Sequence, residues 1–335
     1  MHRRQASRRN QLGLSLVELM VALTIGLFLT GAVGIIYVNT ATSSRGSTLE
    51  SEMNEDATLA LELLQQQIRL AGFSNVDNAG ARLFPGQAVF GCEGTGASTL
   101  TGSAFTSNNA AFAAIACNSA ATSKDSLAVR YEANLLNSQP VNVGGVNFPG
   151  NCAHESLSTW NAQAEGALTA TPLALADNRY YIANDAANNN TPTLFCQGRT
   201  GAGFGAATAL IPNIEDMQIE YAVTALPAVG NPIPHQVAGY VKANNAALGA
   251  AGINWSRVAA IRICLVARSA RPVPTGSNAI ADLGWYLDCD GAAQQPTDRF
   301  VRRTYVTTIQ LRNLRPGLPT DYALGGDPWA FLYGN

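Results

Sequence analysis

The sequence predicts an α+β chain, with one long N-terminal helix packed on an antiparallel β domain rich in loops. Three observations predict it. Residues 14–38 form an apolar run of 25 residues in which Glu18 is the only charge. Residues 49–71 carry apolar side chains at a spacing of three or four. After Gly72 the pattern changes to short alternating runs between stretches of Gly, Asn, Ala and Ser.

At 1.5 Å rise per residue, a helix over Leu14–Val38 spans about 37 Å, enough for a bilayer core of about 30 Å. Arg3, Arg4, Arg8 and Arg9 precede it with no acid among them. Such a cluster stays in the cytoplasm and sends the carboxyl end outward. An ordinary signal peptide would have a shorter apolar core and a small-residue cleavage site behind it. Asn39-Thr40-Ala41-Thr42-Ser43-Ser44 is a weak site of that kind, and that alternative stays open at this point. Gly26, Gly31 and Gly34 lower helix propensity inside the run. They fit either a segment that bends on assembly or close helix packing in lipid.

The helix continues past the membrane. Leu49, Met53, Ala57, Ala60, Leu64, Ile68 and Ala71 make one stripe, with Glu50, Glu52, Glu55, Asp56, Gln65, Gln66 and Arg69 mainly off it. Gly72 is a stop signal, and no proline interrupts Leu14–Ala71. A continuous helix over that span would be about 87 Å long.

Beyond Gly72, Ser126–Glu132 and Asn178–Asp185 are strand candidates. Met217, Ile219, Tyr221 and Val223 alternate with polar or small neighbours, as do Ile261, Ile263, Leu265 and Ala267. Phe300–Leu311 is a further candidate, bounded by Arg315-Pro316-Gly317. One-sided strands need a cover, and the 49–71 stripe supplies it. Residues 74–125, 133–177 and 225–250 are expected to be largely loop. The expected organisation is a leader over 1–13, a helix over 14–71 with its membrane part at 14–38, and an extracytoplasmic domain over 72–335.

Composition narrows the function. Charged residues make up 13% of the chain, against about 25% in an ordinary soluble domain. Without the four leader arginines, 17 Lys and Arg face 23 Asp and Glu. That balance argues against a broad phosphate-binding surface, and no nucleic-acid partner is predicted. Two histidines lie beyond the leader, His154 and His235, and neither sits in an HExxH pattern. With no GxSxG elbow, Walker loop or GxGxxG after a strand, neither enzyme activity nor a cofactor is expected. Asp288-Cys289-Asp290-Gly291, with Asp298 nearby, lacks the full calcium-loop spacing, so a polar turn holding a disulfide is favoured and no metal site is predicted. The aromatics of Asp282–Tyr286 and Trp329–Tyr333, together with the 74–125 loop, are where a partner contact would be sought.

Six cysteines lie beyond the apolar run with no CxxC pair, and an even set in an exported domain points to disulfides. Six allow 15 connectivities, and sequence does not choose among them. Sequential pairing is the expectation: Cys92–Cys117, Cys152–Cys196 and Cys264–Cys289, each closing one long loop. Cys264 lies opposite Ile261, Ile263 and Leu265 on its strand, so its thiol should point away from the apolar side.

Gly13-Leu14-Ser15-Leu16-Val17-Glu18-Leu19-Met20 is the sharpest motif. A glycine ends a basic leader, an apolar residue follows, and an acid sits five positions after the cut. This resembles the class III signal of type IV prepilins and type II secretion pseudopilins. The resemblance implies cleavage between Gly13 and Leu14 by a membrane-embedded prepilin peptidase and N-methylation of Leu14, where the family usually has Phe. It also implies a role for Glu18 in subunit assembly, paired with the amino terminus of a neighbouring subunit. A glycine suits the scissile position because it lets backbone approach the protease closely.

Downstream, Ile214-Glu215-Asp216-Met217-Gln218-Ile219-Glu220-Tyr221 resembles a stretch of PilW-type minor pilins. So do Trp255-Ser256-Arg257-Val258-Ala259-Ala260-Ile261-Arg262-Ile263, followed by Ala267-Arg268-Ser269, and Thr307-Thr308-Ile309-Gln310-Leu311-Arg312-Asn313-Leu314. Ile68-Arg69-Leu70-Ala71-Gly72-Phe73 fits their helix end. The resemblance implies a minor pilin in a type IV pilus, acting in assembly and priming within a tip complex. Its implied partners are other minor pilins, the major pilin, a large tip adhesin, the prepilin peptidase and the inner membrane. The domain would be periplasmic before assembly and on the pilus after it. A J-type minor pseudopilin of type II secretion, and a membrane-anchored extracytoplasmic binding or hydrolytic domain, are the alternatives.

Overall fold

The computed structural model describes residues 15–75, 87–94, 103–105, 115–117, 124–157, 173–200, 203–225, 236–248, 255, 257–273 and 285–313. Helix α1 runs unbroken over Leu16–Leu70. Its start is a capping box: Ser15 Oγ accepts from Glu18 N and Glu18 Oε2 accepts from Ser15 N, both at 3.1 Å. Its end is set by Gly72, whose φ of 73° is a left-handed conformation open to glycine at little cost. The Gly72 amide then donates to Arg130 O and Phe73 O accepts from Glu132 N, which ties the helix exit to a strand.

Among the described residues fourteen strands follow: β1 (Val89–Cys92), β2 (Ser126–Glu132), β3 (Pro140–Val143), β4 (Val146–Pro149), β5 (Leu175–Asp185), β6 (Thr191–Thr200), β7 (Gly203–Phe204), β8 (Thr208–Pro212), β9 (Ile214–Thr224), β10 (Val237–Val241), β11 (Val258–Arg268), β12 (Tyr286–Leu287), β13 (Ala293–Gln294) and β14 (Arg302–Gln310). One sheet has the order β1-β2-β5-β6-β7, with β8 also on β6. A second has the order β10-β9-β11-β14, and β3-β4 and β12-β13 are separate hairpins. All pairings are antiparallel.

Helix α1 packs against β2 and β8 of the first sheet and β11 and β14 of the second. Leu49, Met53, Ala57, Ala60, Leu64, Ile68 and Ala71, the whole predicted stripe, are buried. From Met53 onward they share one core with Leu127, Val129, Tyr180 and Leu194 of the first sheet and Ile219, Ile261, Ile263, Leu265 and Ile309 of the second. Gly91 makes this packing possible at one point, because a Cβ there would collide with the Tyr221 hydroxyl.

Each of the three regions expected to be largely loop carries short strands. The 74–125 segment contains β1, the 133–177 segment contains β3, β4 and the start of β5, and the 225–250 segment contains β10. The β3–β4 hairpin closes through Gly144 and Gly145, with φ of 61° and 87°, the geometry a two-residue hairpin turn demands. Strand β5 begins at Leu175, three residues before the expected Asn178, because Asp177 and Arg179 are buried by ion pairing instead of marking a surface.

Candidate assembly surface

The first half of α1 has no partner within the chain. Every residue from 15 to 40 is exposed, including Phe28 at 82%. The most apolar 18-residue window has a mean hydropathy of 2.4, so the helix is long and apolar enough to cross a membrane. Its hydroxyls are satisfied internally: Thr24, Thr30, Thr40 and Thr42 each donate to a carbonyl three or four residues back, at 2.8–3.0 Å. That closure leaves little polar surface to desolvate in an apolar medium. Positions 26, 31 and 34 are open, with nothing within 4 Å of where a Cβ would stand. Any close packing at these glycines is therefore with another molecule.

Glu18 is the one acidic or basic side chain in this surface among the described residues, and its carboxylate is held one turn back on Ser15 N. Gly13 and Leu14 lie outside the described residues. The structure therefore orients Glu18 toward the start of the helix and gives no geometry for the scissile bond.

The second half of α1 is fixed by polar side chains as well as by its stripe. Gln65 Nε2 donates to Thr307 Oγ1 at 2.9 Å, Asn213 Nδ2 donates to Asp56 Oδ2 at 2.9 Å, and Tyr305 OH bonds Asn54 Oδ1. Gln67 Oε1 accepts from Tyr131 OH and Asn178 Nδ2, each at 3.1 Å. These bonds set the rotation of the helix on the domain, and hence which side of its exposed half faces outward.

The cysteines pair as Cys92–Cys117, Cys152–Cys196 and Cys264–Cys289, with Cα separations of 5.4, 6.2 and 5.8 Å, inside the usual disulfide range. Cys264 points off the apolar face of β11 and holds the turn at Asp288–Gly291. In that turn Asp288 accepts from the amides of Asp290 and Ala292 and from Gln294 Nε2. Burial raises its pKa, but those three bonds together outweigh it and lower the value. Asp298 is committed to Arg302, and among the described residues no group of three or more His, Cys, Asp and Glu could hold a metal. His154 sits in a turn organised by Asn151 Oδ1, which accepts from Ala153 N and Glu155 N. Trp285 is exposed, whereas His235, residues 282–284 and Trp329–Tyr333 lie outside the described residues.

Sequence reasoning did not find two buried charge clusters. Asp177 pairs with Arg130 at 2.6 Å and Arg179 at 3.2 Å, all fully buried within the first sheet. At the start of β9 a bulge inserts Glu215 between the partners of Val266 and Ala267, so Glu215 reaches Arg302. The adjacent acids Glu215 and Asp216 carry no periodic signal that reveals the bulge.

Two family models match the chain. Type IV Pilus-assembly protein W matches residues 179–313, which span most of β5 through β14. The prokaryotic N-terminal methylation motif matches residues 8–34. Among solved structures, a type IV-like pilin from Thermus thermophilus is similar at 13% identity with a TM-score of 0.35, over 78% of this chain and 98% of that one. No curated protein matches.

Proposed function

We propose that the chain is a type IV pilus minor pilin of the PilW family that acts in pilus assembly and priming as part of a tip complex with other minor pilins and the major pilin. The observation that carries this reading is the exposed apolar half of α1, continuous with a half locked onto the folded domain. Membrane anchoring follows from that half. The domain is inferred to face the periplasm, because Arg3, Arg4, Arg8 and Arg9 would stay in the cytoplasm.

In this reading the peptidase cuts between Gly13 and Leu14, and Leu14 becomes the methylated amino terminus. The apolar segment holds the subunit in the inner membrane, and in the pilus it exchanges lipid for neighbouring helices. Glu18 then pairs with the amino terminus of the next subunit, neutralising a charge that is costly in an apolar medium. A large adhesin is the further partner proposed for the tip.

Two measurements test the reading. Mass spectrometry of the amino-terminal peptide should give a chain starting at Leu14 with one added methyl, and a peptide still containing Arg8 and Arg9 would refute processing. Gly13→Ala should be cut poorly, since it adds a Cβ at the scissile residue. Deleting the gene should reduce surface pili and restoring it should recover them. Unchanged piliation would refute the assembly role.

A further inference from the structure

A cleft of about 410 Å³ lies where the start of β9, the end of β11 and the start of β14 meet the β5–β6 hairpin and the β12–β13 turn. That volume suits a small molecule. Its floor holds two arginines with unlike partners. Arg302 is saturated: its guanidinium bonds both Glu215 and Asp298. Arg268 is not. It lies beside Phe300, 4.4 Å from the ring centroid, with its side chain 17% exposed. Its nearest carboxylate oxygen, on Glu215, is 4.0 Å away, and its buried Nε has no hydrogen-bond partner.

A largely buried guanidinium with one donor unpaired and its nearest carboxylate at 4.0 Å is costly, and a closer anionic acceptor reduces that cost. Burial lowers the pKa of Arg268 and Arg302 adds to that, against Glu215 and Asp298, which raise it. The acids beside it are engaged elsewhere at closer range: Glu215 hydrogen-bonds Arg302 and stands 4.0 Å from Arg268, and Asp216 faces Lys124 at 3.7 Å. The planar fork of Arg268 matches a carboxylate. Around it stand the amides of Asn184 and Asn190, which can serve hydroxyls, and the ring of Tyr286, which can lie against a C–H face.

We propose that this cleft binds a small hydroxylated carboxylate, of sugar-acid size, with its carboxylate on Arg268. The site lies on the folded domain, away from the exposed half of α1, and stands independently of the pilus reading.

The test uses the full chain in detergent, titrated calorimetrically with sodium D-glucuronate, with D-glucose, and with sodium chloride at matched ionic strength. Glucuronate should bind saturably. Glucose should bind at least about tenfold more weakly, as expected for loss of a charge-assisted pair. Arg268→Gln should weaken glucuronate by a similar factor, and Arg268→Lys should weaken it less. Arg262→Gln, on the same sheet but stacked on Tyr240, should leave it unchanged. Absence of saturable glucuronate binding to the wild-type chain would overturn the proposal, whether or not the variants fold. So would a heat fully reproduced by sodium chloride, or full affinity in a folded Arg268→Gln chain.

Discussion

The two halves of α1 share one backbone and differ in everything their side chains touch. From Leu16 to Thr40 all side chains are exposed, while from Leu49 to Leu70 a stripe is buried and the flanking amides grip two sheets. In the first half, hydroxyls turn inward to their own helix and no side chain is aimed at the domain. In the second half, Asn54, Gln65 and Gln67 reach across to Tyr305, Thr307, Tyr131 and Asn178. The difference shows that amphipathic spacing specifies a partner within the chain. Uniform apolarity with internally satisfied hydroxyls specifies a partner outside it, either lipid or other helices.

The comparison breaks most visibly at Leu64. Leu64→Ala leaves a cavity between the helix and two sheets and should cost about 3 kcal/mol of domain stability. Phe28→Ala removes a larger side chain from the exposed half and should cost the domain nothing measurable. Denaturant unfolding of the full chain in detergent reads both. A comparable loss in the two variants would mean that the halves are not energetically separate.

The same contrast explains what could be read from the sequence. The 49–71 stripe was legible because burial on one side imposes a spacing of three or four. Strands β9, β11 and β14 were legible where one face is covered and the other is wet. Strand β5 was read short because it is buried on both faces, so alternation vanishes, and Asp177 and Arg179 look like surface residues. The β3–β4 hairpin does carry a turn signal, Gly144-Gly145 between Val141-Asn142-Val143 and Val146-Asn147-Phe148, inside a segment expected to be largely loop. At the assembly surface the sequence singled out Glu18, but not the hydrogen bonds that hold its carboxylate on Ser15. The cleft at Arg268 depends on a bulge and a cross-sheet approach, which leave no local pattern.

The β domain is stapled where the membrane half needs no staple. Removing Cys264–Cys289 by paired serine substitution opens a loop with a sequence separation of 25 and should cost about 3 kcal/mol in the chain-entropy model. Melting the double variant with and without reductant checks this. A bridge contributing nothing would give equal midpoints for oxidised wild type and variant.

Buried charge also separates the regions. Asp125 lies under both sheets, accepting from Gly94 N and Ile219 N at 2.8 Å. Burial, with Glu93 and Asp216 nearby, pushes its pKa up to about 7 against the opposing amide bonds. An acid raised on folding contributes stability that is fully present below its unfolded value near 3.8 and is lost as pH rises through the folded value. Domain stability should therefore decline as pH rises from 3.8 through about 7, and Asp125→Asn should flatten that decline. Asp177, whose pKa is lowered by Arg130 and Arg179 against burial, acts in the opposite sense below pH 3.8, outside this window. An unchanged slope in the variant would assign the decline to other groups.

The smallest effect on the folded domain should come from Glu18, and it is the most informative for assembly. Glu18 closes the capping box with Ser15, and a box of this kind accepts Gln as well as Glu at its third position. Glu18→Gln therefore keeps the bond to Ser15 N and removes only the charge. Glu18→Val removes both and makes the helix more apolar, so insertion and cleavage should persist in either variant. Domain unfolding should match wild type in both, since the box lies in the exposed half. If Glu18 sets register by pairing with a neighbour's amino terminus, both variants should enter pili poorly when supplied as the only copy. If Glu18 serves only the cap, Glu18→Gln should assemble normally and Glu18→Val should not. Quantifying the subunit in sheared pili against the membrane fraction separates the two roles, and normal incorporation of Glu18→Val would exclude both.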